Sequence, residues 1–70
     1  MWTKGFIGEY TYCILHFEKG SHYGIKSGRI SKMSIRKNKK ELYNYDRGLD
    51  FDNLDKKGQE IYSGLLEIFN

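Results

Sequence analysis

The sequence predicts an α+β fold, in which a four-stranded antiparallel sheet, a meander, is packed on one face by a single C-terminal helix. Two observations predict it. Side chains alternate between two faces along residues 2–46, as in strands, and apolar residues recur at helical spacing after residue 53. A chain of 70 residues buries only about 60% of the surface that it exposes when unfolded. We therefore expect one domain over residues 1–70, with a thin core.

The predicted strands cover residues 2–7, 10–17, 29–36 and 41–46. The pair Gly8-Glu9 is typical of a two-residue hairpin turn, because glycine in first position adopts positive φ without strain. Glycines and serines punctuate residues 18–28, which predicts a loop. The segment Asp46–Gly48 predicts a turn that ends the fourth strand, with Gly48 supplying the positive φ.

The helix is predicted over residues 53–69, where one apolar stripe is formed by Leu54, Ile61, Leu65 and Ile68. Asp52 or Asn53 is placed to cap its N-terminus. One helix covers only one face of a four-stranded sheet. The other face is therefore open, and we expect either a second copy of the chain, giving a homodimer, or a binding partner to cover it.

Several classes of protein are not expected. The sequence has no run of about 18 apolar residues, which argues against a membrane span. Its single cysteine, Cys13, forms no internal disulfide, which favours the cytosol. Phosphate-binding loops, zinc motifs and catalytic motifs are missing. Cys13 and His16 would point to opposite faces of a strand, so they do not form a metal site with His22. We expect no enzymatic activity, no cofactor, no catalytic residue and no metal.

Positive charge is concentrated in the first part of the chain. Residues 1–48 carry ten Lys and Arg against four Asp and Glu, whereas residues 49–70 carry two against five, for a total of +3. Residues 26–40 contain seven basic side chains and no acidic one, and such a segment attracts anions. Lysines that guard a solvated edge strand would give the same pattern.

A nucleic-acid-binding protein is therefore one hypothesis, because bound strands need cations for phosphates and aromatic rings for bases. The candidate contacts are Lys26, Arg29, Lys32, Arg36, Lys37, Lys39, Lys40, Tyr43 and Tyr45. A further alternative is a small anionic, nucleotide-like ligand held by the loop of residues 20–29 and its main-chain N–H groups.

Three segments carry a resemblance to a protein family: His16–Ile25 (HFEKGSHYGI), Gly28–Met33 (GRISKM) and Tyr45–Asp50 (YDRGLD). They resemble an uncharacterised family of small phage-type and mobile-element proteins of Gram-positive bacteria. The resemblance covers residues 2–52, and Leu49 stands where the family pattern has tryptophan.

The resemblance implies a non-enzymatic protein that binds and blocks a macromolecule in the cytoplasm of a bacterial host. The partner would be a protein or ribonucleoprotein, such as a CRISPR-type defence effector, which makes an anti-CRISPR inhibitor the leading hypothesis. Tyrosine and arginine are frequent anchors of protein interfaces. The candidate partner-binding residues are Tyr23, Arg29, Lys32, Arg36, Asp46 and Arg47.

Overall fold

A computed structural model describes residues 1–70 as an antiparallel sheet of five strands followed by one helix. The elements are β1 (Trp2–Ile7), β2 (Tyr10–His16), β3 (Ile30–Lys37), β4 (Lys40–Asp46), β5 (Leu49–Asp52) and α1 (Lys56–Phe69). Each strand pairs with the next in the chain, so the sheet is a meander, as predicted. The α+β class and the single C-terminal helix are confirmed. No helix here is long and apolar enough to cross a membrane.

The prediction of four strands was wrong, because the segment after Asp46 is a hairpin turn and not the end of the sheet. The chain reverses at Arg47 and Gly48, and β5 then returns along β4, with Leu49 opposite Tyr45. Arg47, and not Gly48, has the positive φ, at 59°. With four residues and two aspartates, β5 has too short an alternation and too low a strand propensity for the sequence to reveal it.

The two other hairpin turns also depend on a left-handed residue. Gly8 has a φ of 60° between β1 and β2, which confirms the predicted glycine-led turn. Asn38 has a φ of 57° between β3 and β4, a conformation that asparagine tolerates better than most residues. Both turns are two residues long, so they fix the register between their strands.

The core lies between the sheet and α1. Ile14, Met33 and Ile35 on the two central strands are at most 1% exposed, and Ile61 and Leu65 of the helix complete the layer above them. The remaining buried apolar side chains are Tyr10, Ile25, Ile30, Leu42, Tyr43 and Leu54. Edge strand β1 lies outside this layer and contributes no buried side chain.

The helix begins at Lys56, three residues later than predicted, because Asp55 is its N-cap and not Asp52 or Asn53. Asp55 Oδ1 accepts a hydrogen bond from the main-chain N–H of Gly58 at 2.7 Å. Its Oδ2 accepts one from the hydroxyl of Tyr10 at 2.7 Å, so the cap also ties the helix to β2.

The far end of the helix is tied to the long loop of residues 17–29. The side chain of Asn70 accepts a hydrogen bond from Ile30 N at 2.9 Å and donates one to Ile25 O at 3.0 Å. Within the loop, a single 3₁₀ turn at Ile25–Ser27 buries Ile25 against the core. The predicted loop is thus present. The hydrogen bonds between the Asn70 side chain and the main chain of Ile25 and Ile30 anchor it to the end of the helix.

Candidate functional site: the open face of the sheet

The face of the sheet opposite α1 has no layer over it, and we call it the open face. Alternation and register place on it the side chains that are out of phase with Ile14 and Met33. They are Trp2, Lys4, Phe6, Thr11, Cys13, Leu15, Lys32, Ser34, Arg36, Glu41, Asn44, Asp46 and, from β5, Phe51. The open face that the sequence predicted is therefore present, although five strands and not four form it.

One half of the open face, on β1 and β2, is apolar. Trp2 is 55% exposed and Phe6 is 77% exposed. Trp2 lies opposite the half-buried Leu15, and Phe6 lies opposite Thr11. Cys13 lies between them in β2, half-buried. Large aromatic rings at this exposure are a mark of a contact surface when several share one face.

The other half of the open face, on β3 to β5, is polar and internally paired apart from the half-buried Phe51, which lies opposite Asn44. Arg36 and Glu41 approach to 3.5 Å, and Glu41 also accepts a hydrogen bond from Ser34 at 2.9 Å. Lys32 and Asp46 approach to 3.6 Å. Exposed pairs like these contribute little to stability. Their consequence here is that each cation of this half has a carboxylate beside it.

Lys4 differs from the other cations of the open face, because no carboxylate lies within ion-pair distance of it. Its two neighbours on the same face of β1 are Trp2 and Phe6. The apolar half of the open face therefore carries one uncompensated positive charge at its centre.

A shallow depression of about 170 Å³ crosses the open face between its two halves. Its walls include Trp2 and Cys13 on one side, and Lys32, Ser34 and Asp46 on the other. Small-molecule sites usually enclose about 300–1,000 Å³. A second depression of about 500 Å³ lies on the same face between Lys4, Thr11 and Arg36. Both depressions are shallow and open to solvent, which suits a contact surface for a macromolecule better than an enclosed pocket for a small molecule.

The basic segment of residues 26–40 does not form one surface. Lys26 and Arg29 lie at the loop end of β3, while Lys37, Lys39 and Lys40 lie at the opposite end, around the β3–β4 turn. The eight residues of β3 separate the two groups by about 23 Å. Between them, Lys32 and Arg36 are on the open face in the ion pairs described above.

The two tyrosines predicted to stack on bases lie on the helix side of the sheet. Tyr43 is 3% exposed, and its ring centroid lies 5.0 Å from that of Tyr62 in α1. Burial raises the pKa of Tyr43 far above its ordinary value, with a smaller contribution from the hydrogen bond to Tyr62. Tyr45 is half-buried, and its hydroxyl donates to Tyr23 O at 2.8 Å.

The predicted partner-binding residues divide between two places. Lys32, Asp46 and Arg47 are close together, at the end of the open face where β4 turns into β5. The main-chain N–H of Arg47 donates to Ser31 O at 2.9 Å, which holds its exposed side chain at that corner. Tyr23 is exposed in the loop below.

Arg29 and Arg36 lie apart from that corner. Arg29 O accepts a hydrogen bond from Phe17 N at 3.1 Å, which places Arg29 at the end of β2. Arg36 is four residues along β3 from Lys32, a distance of about 13 Å. The six predicted residues therefore do not form one compact patch.

The site residues predicted from the sequence do not include the aromatic and basic residues of β1. Trp2, Lys4 and Phe6 occupy alternate positions of a predicted strand, which was a sufficient signal that they share one face. The sequence alone does not show which face of β1 points away from the helix, because Thr3, Gly5 and Ile7 are not distinctly more apolar than the residues between them.

Cys13 and His16 lie on opposite faces, as the alternation predicted. The His16 ring is on the helix side, 2.8 Å from Thr3 Oγ1 and with its centroid 5.0 Å from that of Phe69. No three side chains among His, Cys, Asp and Glu gather in a way that would hold a metal ion.

No curated protein and no solved structure matches the chain. A family model, described as a domain of unknown function (DUF7678), matches residues 1–70. This match agrees with the expectation, drawn from the resemblance, that the chain belongs to an uncharacterised family.

Proposed function

Because the chain belongs to the DUF7678 family over all of its 70 residues, and that description names no activity, we propose a function from the open face. The protein is a non-enzymatic binding protein that attaches to a host macromolecule and blocks it. Its partner is a protein or a ribonucleoprotein of a bacterial defence system, in the host cytoplasm, as the phage-type resemblance implies.

The observation that carries this proposal is the pairing of an aromatic half and a charge-balanced half on one uncovered sheet face. Exposed Trp2 and Phe6 are the residue types enriched at the centre of protein interfaces. The neutralised polar half supplies hydrogen-bonding groups without a strong field of either sign. Such a surface favours a protein partner over a polyanion.

The open face alone is smaller than a standard interface. The 32 residues of the five strands, at a rise of about 3.3 Å and a strand spacing of about 4.8 Å, cover a projected area of roughly 500 Å². A standard interface buries about 800 Å² on each partner. We therefore include in the contact surface the corner formed by Asp46 and Arg47, the exposed Tyr23 and the free edge of β1.

A photo-crosslinking experiment in bacterial cells tests the proposal. A benzoylphenylalanine is placed at Thr11, which is exposed on the open face, or at Ser63, which is exposed on α1 and serves as the matched control. We expect a protein adduct of defined mass from the Thr11 position and none from the Ser63 position. Equal adducts from both positions, or none from Thr11, would contradict the proposal.

Direct nucleic-acid binding is the second candidate, and one observation favours it. Lys37, Lys39 and Lys40 surround a broad depression at the β3–β4 turn, beside the N-terminus of α1. A helix N-terminus favours anions. However, the carboxylate of Asp55 lies in the same depression, 3.8 Å from Lys37 Nζ.

This second candidate makes a quantitative prediction about salt. If the lysines contact phosphates, the logarithm of the binding constant falls by about 0.7–0.9 per contact for each unit of log salt concentration. Fluorescence anisotropy with labelled single-stranded and duplex DNA and RNA measures that slope. A slope that is unchanged in a Lys39→Glu, Lys40→Glu variant, or no binding near 150 mM salt, would exclude this site.

A further inference from the structure

The outer edge of β1 has free main-chain hydrogen-bonding groups. Met1, just before β1, and His16, at the end of β2, form a hydrogen-bonded pair. Met1 N donates to His16 O and His16 N donates to Met1 O, both at 2.9 Å. In an antiparallel ladder such pairs alternate with pairs whose groups point outwards. The N–H and C=O groups of Trp2, Lys4 and Phe6 therefore point away from the sheet, toward solvent.

This edge has only one of the features by which proteins usually protect an exposed strand, a single lysine. β1 has six residues, contains no proline and pairs with β2 without a bulge. Its one charge is Lys4. At the opposite edge, β5 has only four residues, a bulge in its pairing with β4, and two carboxylates, Asp50 and Asp52. Short, bulged and charged edges resist strand addition, and long regular edges favour it.

The three residues with outward main-chain groups are also the three that β1 places on the open face. An added strand would thus have side chains directly opposite Trp2, Lys4 and Phe6, on that same face. Apolar side chains fit beside the two aromatic rings. A carboxylate fits beside Lys4, whose ammonium has no partner in the structure.

We propose that the edge of β1 accepts an extended segment of the partner protein as a sixth, antiparallel strand. The segment carries an acidic side chain opposite Lys4, with apolar side chains two residues before and two residues after it. This inference rests on the proposed function, because it names the means by which a protein partner is held. Main-chain bonds would provide affinity, and the alternating side chains would provide specificity.

A second copy of the chain fits this edge less well. Two β1 strands related by a twofold axis can bond through all three outward residues only in the register that sets Lys4 opposite Lys4. Like charges directly opposite each other destabilise a strand pair. The register centred on Gly5 separates the lysines, but it leaves only Lys4 and Phe6 in bonded pairs. An acidic strand from another protein has neither disadvantage.

The test uses synthetic peptides as probes of the edge. The probe is acetylated and amidated Val-Thr-Glu-Thr-Val, and its control is the same peptide with lysine in place of glutamate. Amide hydrogen exchange and amide chemical shifts of the full chain are measured with each peptide at millimolar concentration. We expect exchange to slow several-fold at Trp2, Lys4 and Phe6 with the glutamate peptide, and much less with the lysine peptide.

A charge-reversal pair provides the matched variants. Lys4→Glu should invert the preference, so that the lysine peptide protects the edge, whereas Lys39→Glu in the β3–β4 turn should leave the preference unchanged. Failure of both peptides to protect the three amides would overturn the proposal. So would protection that rises with protein concentration in the absence of peptide, because it would identify a second copy as the occupant.

The proposed function and this inference can fail separately. If Lys4→Glu leaves the protein adduct at Thr11 intact in cells and neither peptide protects the edge, the open face binds a protein without strand addition. If both peptides behave as expected and no protein adduct forms at Thr11, the edge accepts acidic strands, but its use by a host partner is refuted.

Discussion

Asp55 is the residue on which most polar contacts between helix and sheet converge. Its carboxylate caps α1 through Gly58, accepts a hydrogen bond from the hydroxyl of Tyr10, and lies 3.8 Å from Lys37. The hydrogen bond from Tyr10, followed by that from Gly58, holds the pKa of Asp55 below its usual value of 3.8. The same hydrogen bond and burial raise the pKa of Tyr10 to about 12.

The lowered pKa of Asp55 predicts an acid-sensitive contribution to stability. Since the folded-state pKa is below the unfolded-state value, the contribution is fully present above about pH 4 and is lost as the pH falls through the folded-state pKa. Asp55→Asn keeps a good N-cap but removes the charge. We expect it to lower stability at pH 7 and to flatten the acid limb in urea denaturation between pH 2.5 and 7. An unchanged acid limb would assign the effect to another carboxylate.

Arg47 occupies a backbone conformation that is costly for a side chain with a Cβ atom. Its φ is 59°, at the turn that the sequence assigned to Gly48. We expect Arg47→Gly to raise the free energy of unfolding by up to about 1 kcal/mol, because the strain is relieved. Arg47→Ala keeps the strain and should change stability little. Chemical denaturation measures both, and a less stable Arg47→Gly protein would contradict this account.

The same variant separates stability from binding. If Arg47 belongs to the contact surface, the Arg47→Gly protein will be more stable but will give less protein adduct from the Thr11 position. Strained residues that persist often serve a function, since the fold alone would favour glycine there.

Edge strand β1 contacts β2 partly through the aromatic ring of Tyr12. The Tyr12 side chain lies across Gly5 on the helix side of the sheet, where an added Cβ atom would overlap the ring. Gly5→Val should therefore displace the Tyr12 ring and lower the free energy of unfolding by about 1 kcal/mol, the low end for overpacking, because the far end of that side chain can move. Gly48→Ala is the matched control, because a Cβ atom there meets open space. Thermal unfolding compares the two, and equal effects would rule out the steric explanation.

The elements that the sequence predicted are those with long, regular patterns. The four predicted strands correspond to β1–β4 to within one residue at each end, and helix α1 ends where the periodicity placed it. The start of the helix was missed because aspartates at 52 and 55 and an asparagine at 53 all suit an N-cap. Asp52 instead accepts a hydrogen bond from Leu54 N at 3.1 Å, in the turn before the helix.

The site was harder to predict than the fold, for a reason of geometry. The basic segment looked continuous because charge was counted along the chain, whereas β3 spreads its ends far apart and alternates its side chains between faces. Whether Tyr43 faces the helix or the solvent depends on which face α1 covers. That choice is made by the packing of Ile14, Met33 and Ile35, and not by the alternation itself.

For the molecule as a whole, stability depends on a small number of core side chains. Only 14 of the 70 residues are buried, and Ile35 is among the four largest that are fully buried. Truncation of a fully buried isoleucine to alanine costs about 2–5 kcal/mol, a large fraction of the roughly 5–15 kcal/mol that stabilises a small domain.

We therefore expect Ile35→Ala to be partly unfolded at 37 °C, and Ile35→Val to lose only about 0.5–1.5 kcal/mol. Urea titration followed by circular dichroism measures both variants. Loss of less than 1 kcal/mol in Ile35→Ala would show that stability is distributed more widely than the burial indicates.

The meander topology also has a consequence for the order in which the chain folds. Every strand pairs with its neighbour in sequence, so the sheet forms through short loop closures, which are rapid. The hydrogen bonds between Tyr10 and Asp55 and between Ile25 and Asn70 each join residues 45 positions apart in the sequence. The hairpins can therefore form first, while the apolar face of the sheet remains uncovered until Ile61 and Leu65 pack against it. Until then the future core, and not the open face, is the more adhesive face of the sheet.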